Sequence, residues 1–342
     1  MRPVSLFFLS LVAASAADRY SVAETRSGDV PLLLLRDATS HLEAAIAPTK
    51  GGELSSLILE RKGIPLELIY LGRDYAPRSG FAGKAMFLWP ATGPVKDNQW
   101  TVQGETYPLP FHGFAKDASW EVVEHRATAR DAHAVLRFGD SRATRAQYPY
   151  GFVLTVRYTL AGGQLAVEYS VEAAAGNRGE MPFAIGNHVA FNLPPSGQGS
   201  AGKVVLETSC RDEIVRDGGS LPTGEIRPWR YAPTAPLQEI RAIPAVSLAN
   251  CGAEAVVALK DPAGLTLEIR HKASRLPKMP VVQFNLYGSA AEGYFSPEPW
   301  VGLQGGMNSG KGLSRLKPGE RWQWTVRVRV VEGKASLGVR ER

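Results

Sequence analysis

The sequence predicts an all-β protein built as one large antiparallel β-sandwich. Apolar and polar residues alternate over Phe152–Leu160, and the alternation resumes at Leu165 after a turn that contains Gly162 and Gly163. This period of two predicts a hairpin with one buried and one solvated face. No window shows a long apolar stripe with the 3.6-residue helical period. Glycine (35 of 342 residues) and proline (24) are frequent but follow no regular period, which indicates many turns.

Shorter patterns along the chain predict further strands and connections. Pro31–Leu35 predicts a short core strand. Val256–Lys260, a turn at 261–264 and the apolar residues of 265–269 predict a second hairpin, and the alternation over Trp322–Val330 predicts a strand near the C-terminus. Two stretches rich in proline and glycine, 193–203 and 222–244, predict a loop and an irregular surface connection.

The overall composition is that of a folded chain and not of a disordered one. Hydrophobic residues make up 44% of the chain and charged residues 21%, so a core of ample size can form. The net charge is +6, but lysine and arginine are scattered and no run of five like charges occurs. A nucleic-acid partner would require a basic stripe or patch, so none is predicted.

The N-terminus predicts a targeting segment. Met1–Ala17 contains one arginine, a short apolar run and an Ala-Ser-Ala cleavage pattern, which are typical of a secretory signal peptide over residues 1–16. Residues 17–342 are then predicted to form a single domain in the periplasm or outside the cell, and no other stretch is apolar enough to span a membrane. In an oxidising compartment Cys210 and Cys251 could pair, or they could remain two buried thiols; their spacing fits no zinc motif.

Three segments interrupt the β pattern, and each places one ionisable side chain among apolar residues. They are Pro110–Ala115 with His112, Met181–Leu193 with His188, and Tyr294–Trp300 with Glu298. Apolar surroundings shift pKa values, and shifted pKa values serve acid–base chemistry. Taken singly, a histidine next to a glycine is usually a hydrogen-bonded structural residue, and a glutamate between two prolines is more often part of a surface turn.

Together with other short motifs, these segments resemble the aldose 1-epimerase (galactose mutarotase-like) family over most of the chain after residue 16. The motifs occur in the family's order and are the glycine turn KGGELSSL at 50–57, HGFAK at 112–116, YPYGF at 148–152, HVAFNL at 188–193, PTGE at 222–225 and PEPWVG at 297–302.

The resemblance implies a fold, a chemistry and a set of site residues. It implies the family's β-supersandwich with an open sugar cleft, and a reaction without metal or cofactor. His188 would be the general acid, Glu298 the general base, and His112 a residue that holds the sugar. Gln283 stands where the family contributes a polar side chain to the cleft, and Asn187 could orient His188 or meet a sugar hydroxyl; for both, ordinary strand hydrogen bonds are the alternative.

Two departures from the family pattern concern the substrate. The family has an arginine about one strand before the HG motif, whereas Pro94 stands near that position here and Lys96 follows it. The resemblance therefore implies that the sugar contact of this arginine is either lost or moved to Lys96. Val189 and Ala190 replace the usual Pro-Tyr after the histidine. Both changes leave the identity of the sugar open.

The chemistry of a mutarotase explains why one histidine and one glutamate are sufficient. Interconversion of anomers requires that the C1 hydroxyl lose a proton while the ring oxygen gains one, after which the C1–C2 bond rotates and the ring closes. An imidazole, with a pKa near 6.5, can donate near neutral pH, and a carboxylate, with a pKa near 4.3, can accept. No nucleophile is needed, and no G-x-S-x-G motif occurs.

Three other functions remain open at this point. HGFAK is also close to the motif of glucose-6-phosphate epimerase relatives, which predicts a phosphorylated hexose, although phosphate sites usually contain arginines. A non-catalytic carbohydrate-binding protein on the same fold is a second alternative. A glycoside hydrolase would need a second carboxylate, for which Asp117 is the only nearby candidate. In every case the partner is a small sugar, and the oligomeric state is not determined.

Overall fold

The computed structural model describes residues 19–72, 75, 83–218 and 220–333 of the chain, so the predicted signal peptide lies outside the described residues. Nearly all regular structure is β. The first strands are β1 Tyr20–Ser27, β2 Val30–Asp37, β3 Leu42–Ala47, β4 Glu53–Arg61, β5 Ile64–Glu67, β6 Ala85–Leu88, β7 Gln99–Val102, β8 Glu105–Pro108, β9 Glu121–Ala127, β10 Ala132–Gly139, β11 Phe152–Ala161, β12 Gln164–Ala173 and β13 Met181–Phe183.

The second half of the chain continues in the same way. Its strands are β14 Ile185–Val189, β15 Phe191–Asn192, β16 Val205–Thr208, β17 Asp212–Arg216, β18 Pro222–Pro228, β19 Thr234–Pro236, β20 Ala242–Ala249, β21 Ala255–Asp261, β22 Leu265–Ala273, β23 Val282–Ser289, β24 Tyr294–Gly302, β25 Ser314–Leu316 and β26 Arg321–Glu332. The described helices are single turns: α1 Arg142–Arg145, α2 Gly306–Ser309 and the 3-10 turns Lys96–Asn98, Ala115–Asp117 and Ala201–Lys203.

The strands form two large antiparallel sheets, which confirms the predicted fold class. The first has 13 strands in the order β1-β2-β3-β4-β6-β14-β24-β23-β20-β17-β18, with β5 and β15 attached at the side. The second has nine, in the order β19-β16-β21-β22-β26-β12-β11-β10-β9. The C-terminal strand β26 joins the two predicted hairpins in the second sheet, because it pairs with β12 on one side and β22 on the other.

The core lies between the inner faces of the two sheets. In the hairpin β11–β12, Leu160 is opposite Leu165, and the connecting Gly162 and Gly163 have φ of 57° and 75°. Positive φ at both central residues defines the turn that best matches the twist of a hairpin. Phe87 of the first sheet stacks on Tyr169 of the second at 4.9 Å between ring centroids, so one continuous apolar core joins the sheets.

The expectation of an irregular surface connection over 222–244 is wrong in part. The segment contains β18, β19 and the start of β20. Strands β18 and β19 are each the last strand of a sheet. An edge strand has one side without ladder partners, so it tolerates proline, and the proline content of the segment misled the sequence interpretation. The predicted loop at 193–203 is confirmed, with only a 3-10 turn at its end.

Cys210 and Cys251 form a disulfide, which settles the alternative that the sequence left open. Cys210 follows β16 and Cys251 follows β20, so the bond ties a strand of the second sheet to a strand of the first. Ser209 supports the junction by donating from its hydroxyl to the carbonyl of Cys251 at 2.9 Å.

No helix among the described residues is long and apolar enough to cross a membrane.

Candidate active site

Four polar side chains lie in one row across the centre of the 13-stranded sheet. Strand pairing sets Asn285 of β23 opposite Glu298 of β24, and Ser247 of β20 opposite Asn285. On the other side of β24, the pairing of Gly186 with Trp300 continues to His188 beside Glu298. Residues directly opposite one another in a sheet point to the same face, so the four side chains form a polar line on one face of the sheet.

His188 and Glu298 are neighbours in this row and are both buried. Nε2 of His188 is 3.6 Å from Oε1 of Glu298, with side-chain exposures of 7% and 1%. The separation is longer than a hydrogen bond. The two oxygens bonded to an anomeric carbon are only one bond angle apart, so an acid and a base that lie on the same sheet face and close together can serve both oxygens. The structure therefore brings together the two residues that the resemblance names as acid and base.

Glu298 has two hydrogen-bond donors, one for each carboxylate oxygen. Nδ2 of Asn285 donates to Oε1 at 3.1 Å, and Nε1 of Trp300 donates to Oε2 at 3.1 Å. Burial raises the pKa of Glu298 well above its usual value, while the two donors and the nearby charge of Arg216 act in the opposite direction. A carboxylate with a raised pKa is a stronger base in its ionised form, which is what proton abstraction near neutral pH requires.

A chain of hydrogen bonds behind Asn285 fixes the direction of its amide. Nε2 of Gln304 donates to the hydroxyl of Ser247 at 2.7 Å, and that hydroxyl donates to Oδ1 of Asn285 at 3.4 Å. With its oxygen engaged by Ser247, the Asn285 amide presents its NH₂ group to Glu298. Gln304, Ser247 and Asn285 are all buried, so the chain is shielded from competing water.

His112 reaches the same site from a loop held in an unusual backbone conformation. Both His112 and Gly113 have positive φ, at 64° and 70°, and a Cβ at Gly113 would lie 2.2 Å from the carbonyl oxygen of Trp89. Left-handed φ is strained for a histidine and is characteristic of functional sites. The loop is tied to Gly93 twice: the His112 amide donates to the Gly93 carbonyl, and the Gly93 amide donates to Nδ1 of His112 at 3.0 Å.

This geometry determines the protonation of His112. Because Nδ1 accepts a hydrogen bond, the proton of the neutral ring is assigned to Nε2. Burial lowers the pKa of His112 well below its usual value, and the adjacent His188 and Lys116 lower it further. The His112 ring lies 5.5 Å from that of His188, nearly perpendicular to it. His112 is thus a neutral donor at the acid–base pair.

Two residues expected at the substrate have other partners. Asn187 precedes His188 on β14, so its side chain points to the opposite face, where Nδ2 donates to the Tyr169 hydroxyl at 3.1 Å in the core between the sheets. Gln283 uses both ends of its amide on the disulfide junction: Oε1 accepts from the Cys251 amide at 2.9 Å and Nε2 donates to the Gly252 carbonyl at 2.8 Å. Both side chains thus make hydrogen bonds within the protein, and the polar residue of β23 that contacts Glu298 is Asn285.

Lys96, the expected replacement for the family arginine, has an exposed side chain in the 3-10 turn Lys96–Asn98. Its backbone amide donates to Oδ1 of Asn308 at 2.9 Å, so the turn is anchored to helix α2. A cation that acts on Glu298 is Arg216, at the end of β17.

The sequence interpretation missed Asn285, Ser247, Gln304 and Arg216. Gln283 and Asn285 are two residues apart on β23, so the alternation predicts that both point to the same side of the sheet. Only the register between β23 and β24 decides which of them faces Glu298. Ser247 and Arg216 lie on strands that contact β24 only through intervening strands. No local pattern in the sequence marks Gln304.

A profile of one family matches the sequence, and solved structures show the same fold. The aldose 1-epimerase profile matches residues 33–275. A galactose mutarotase-like protein from Clostridium acetobutylicum is 18% identical, with a TM-score of 0.72 over 91% of this chain and 98% of that chain. A galactose 1-epimerase from Lactobacillus acidophilus is 17% identical, with a TM-score of 0.67 over 93% of this chain and 100% of that chain.

A galactose mutarotase related enzyme from Lactobacillus acidophilus is similar to the same degree, at 19% identity and a TM-score of 0.70 over 92% of this chain and 100% of that chain. No curated protein matches the sequence. At these identities the structural likeness shows the fold, while the profile, which spans most of the chain, shows the ancestry. The protein belongs to the aldose 1-epimerase family.

Proposed function

We propose that the protein interconverts the α and β anomers of a free hexose, with Glu298 as the general base and His188 as the general acid. Glu298 removes the proton of the C1 hydroxyl while His188 protonates the ring oxygen, and the C1–O5 bond breaks to give the open-chain aldehyde. Rotation about C1–C2 presents the other carbonyl face. The two residues then exchange roles as the ring closes, so each regains its starting protonation state.

One observation carries this proposal: an imidazole and a carboxylate, both buried, face each other at 3.6 Å on one sheet face. The carboxylate is held by one hydrogen bond to each oxygen, so its direction is fixed before a sugar arrives. Fixed direction favours proton transfer, because no reorganisation is then required during the reaction. A protein that only bound sugar would gain nothing from a buried carboxylate whose pKa is raised.

His112 also supports the proposed function, because its position suits a residue that holds the sugar. Its neutral ring is held by Gly93 and by the strained HG turn, so an Nε2–H donor stands beside His188. A neutral donor can bind a sugar oxygen without competing with His188 for the role of acid.

Glycoside hydrolysis is less consistent with the site. Asp117, the carboxylate that such a reaction would recruit, has a side chain that is 74% exposed and that pairs with Lys116 at 2.7 Å. Hydrolysis with inversion or retention needs two carboxylates that flank one bond. The buried partner of Glu298 is a histidine, which favours isomerisation.

The test is polarimetry of fresh α-D-galactose and α-D-glucose with wild type, Glu298→Gln and His188→Gln. Wild type should accelerate mutarotation of at least one of the two sugars. Each variant should lower kcat by roughly 100-fold or more, with a smaller change in KM, because these groups act in the transition state. Glu268→Gln is a matched control, since Glu268 is equally buried but lies in the other large sheet. A Glu298→Gln enzyme with near wild-type kcat would refute the proposed base.

We also propose that the protein works in an oxidising compartment. The disulfide between Cys210 and Cys251 supports this, because such bonds persist outside the cytosol. Thiol titration of denatured, unreduced protein purified from each cell fraction tests it: two free thiols in the native source would contradict the proposal.

A further inference from the structure

Arg216 borders the acid–base pair but belongs to neither of the motifs that supply it. It is the last residue of β17, two positions after Ile214. Ile214 is opposite Ser247, and it packs with Met86 and Trp300 in the apolar cluster on the same face as the polar row. The pairing of β17 with β18 shifts register between Ile214 and Arg216, so the strand bends at this point.

The Arg216 side chain is partly buried. Among the described residues, none forms an ion pair or a side-chain hydrogen bond with it. Its charge nevertheless acts on Glu298, lowering the pKa of that carboxyl, and Glu298 partly offsets the lowering of the Arg216 pKa by burial. A guanidinium offers five N–H donors in a rigid planar fork, so Arg216 retains donor capacity for the oxygen atoms of a ligand.

We propose that Arg216 binds the substrate, with its guanidinium donating hydrogen bonds to the hydroxyl oxygens at the anomeric end of the sugar beside Glu298. This inference rests on the proposed function and extends it by assigning a positively charged side chain that contacts the sugar. It gives the site a sugar contact from β17, where the sequence comparison pointed to Lys96.

The contact has two chemical consequences. Hydrogen bonds to the C1 oxygen make its proton easier to remove, because they stabilise the negative charge that develops as Glu298 accepts the proton. The fixed positive charge also favours the ionised form of Glu298 in a site where burial disfavours it. Arg216 therefore affects both sugar binding and the pH at which the base becomes active.

The experiment compares wild type, Arg216→Gln, Arg216→Lys and a matched control, Arg211→Gln, which makes the same change at an exposed position just before β17. Binding of D-galactose and of D-glucose at anomeric equilibrium is measured by calorimetry. Mutarotation is measured by polarimetry between pH 5 and 9. Thermal unfolding of each variant shows whether the fold is retained.

Arg216→Gln should weaken sugar binding and lower kcat/KM by about 10- to 100-fold, the range expected for loss of hydrogen bonds from a charged donor. The rise of its kcat/KM on the acidic side of the pH profile should move to higher pH, because the charge that lowers the pKa of Glu298 is lost. Arg216→Lys keeps the charge but not the planar fork of donors. It should therefore return the acidic side of the pH profile to its wild-type position, while sugar binding stays weak. Arg211→Gln should match wild type.

Two results separate the inference from the function on which it rests. If wild type is active and folded Arg216→Gln binds sugar and turns it over like Arg211→Gln, Arg216 is not a ligand and the inference is overturned while the proposed function stands. If wild type neither binds nor converts either hexose, the proposed function fails and the inference fails with it. If wild type binds but does not convert a sugar and only Arg216→Gln loses binding, the inference stands without the catalytic function.

Discussion

Trp300→Phe is the substitution that most directly tests how Glu298 is held. The indole Nε1 donates to Oε2 of Glu298 at 3.1 Å, and phenylalanine keeps the aromatic packing while removing that donor. A hydrogen bond to a charged group contributes about 1.5–3 kcal/mol, and one pKa unit corresponds to about 1.4 kcal/mol. The loss should therefore raise the pKa of Glu298 further, because the ionised carboxylate loses one of its two donors.

The sign of the effect on rate follows from the proposed role of Glu298 as a base. The base acts only when it is ionised, so a higher pKa lowers activity on the acidic side and leaves it unchanged once the pH exceeds the new value. At pH values below the pKa of Glu298 in both enzymes, kcat/KM of Trp300→Phe should be about 10- to 100-fold below that of wild type. The difference should close as the pH rises.

The assay is polarimetric mutarotation of the best hexose from pH 5 to 9, with the spontaneous rate subtracted at each pH. Trp322→Phe is the matched control, because Trp322 is an equally buried tryptophan in the other large sheet whose Nε1 donates to the Arg275 carbonyl at 2.8 Å. A Trp300→Phe enzyme whose kcat/KM falls by one constant factor at every pH would show that the indole packs against the site without tuning Glu298, and would refute this reasoning.

Three further perturbations have defined outcomes. Ser247→Ala interrupts the chain behind Asn285, so kcat should fall about fivefold, as expected for one neutral hydrogen bond, with KM nearly unchanged in steady-state kinetics. The double variant Cys210→Ser, Cys251→Ser opens a loop of sequence separation 41 and should lower the free energy of unfolding by up to about 4 kcal/mol; in denaturant titrations, reductant should destabilise wild type but not the variant. Gly113→Ala should lower the melting temperature and raise KM more than Gly104→Ala does, because both glycines have positive φ but only a Cβ at 113 meets the backbone of a neighbouring loop.

The sequence predicted the fold because the alternation of its strands is a local property. Phe152–Leu160 and the strand after it form the predicted hairpin, with the predicted turn. The segments around His112, His188 and Glu298 could also be recognised, since each departs from the apolar–polar alternation of its surroundings, although His188 and Glu298 lie within the strands β14 and β24. The side of the sheet that Asn187 faces follows from the same alternation: next to His188 on one strand, it must point the other way.

What the sequence could not provide is the register between strands that are distant in the chain. Asn285 faces Glu298 because β23 and β24 pair in one particular register, and a shift of one residue would turn Asn285 to the opposite face. Arg216 reaches the site through two intervening strands and a register shift, and each of these depends on tertiary packing. Contacts of this kind are decided by the whole sheet and leave no mark in a short stretch of residues.

The polar row shows that the sheet is a regular grid of side-chain positions. Neighbouring strands are ~4.8 Å apart, and residues on the same face of one strand recur every ~6.6 Å. His188 and Glu298 occupy adjacent points along one line of this grid, while Trp300 lies one step further along a strand and Arg216 lies near the end of another. Because this spacing is set by backbone pairing, replacing a side chain at one position leaves the strands that carry His188 and Glu298 at the same separation. Under the proposed function, a position that contacts neither residue can change the contacts with the sugar, whereas Trp300 and Arg216 also act on Glu298 itself.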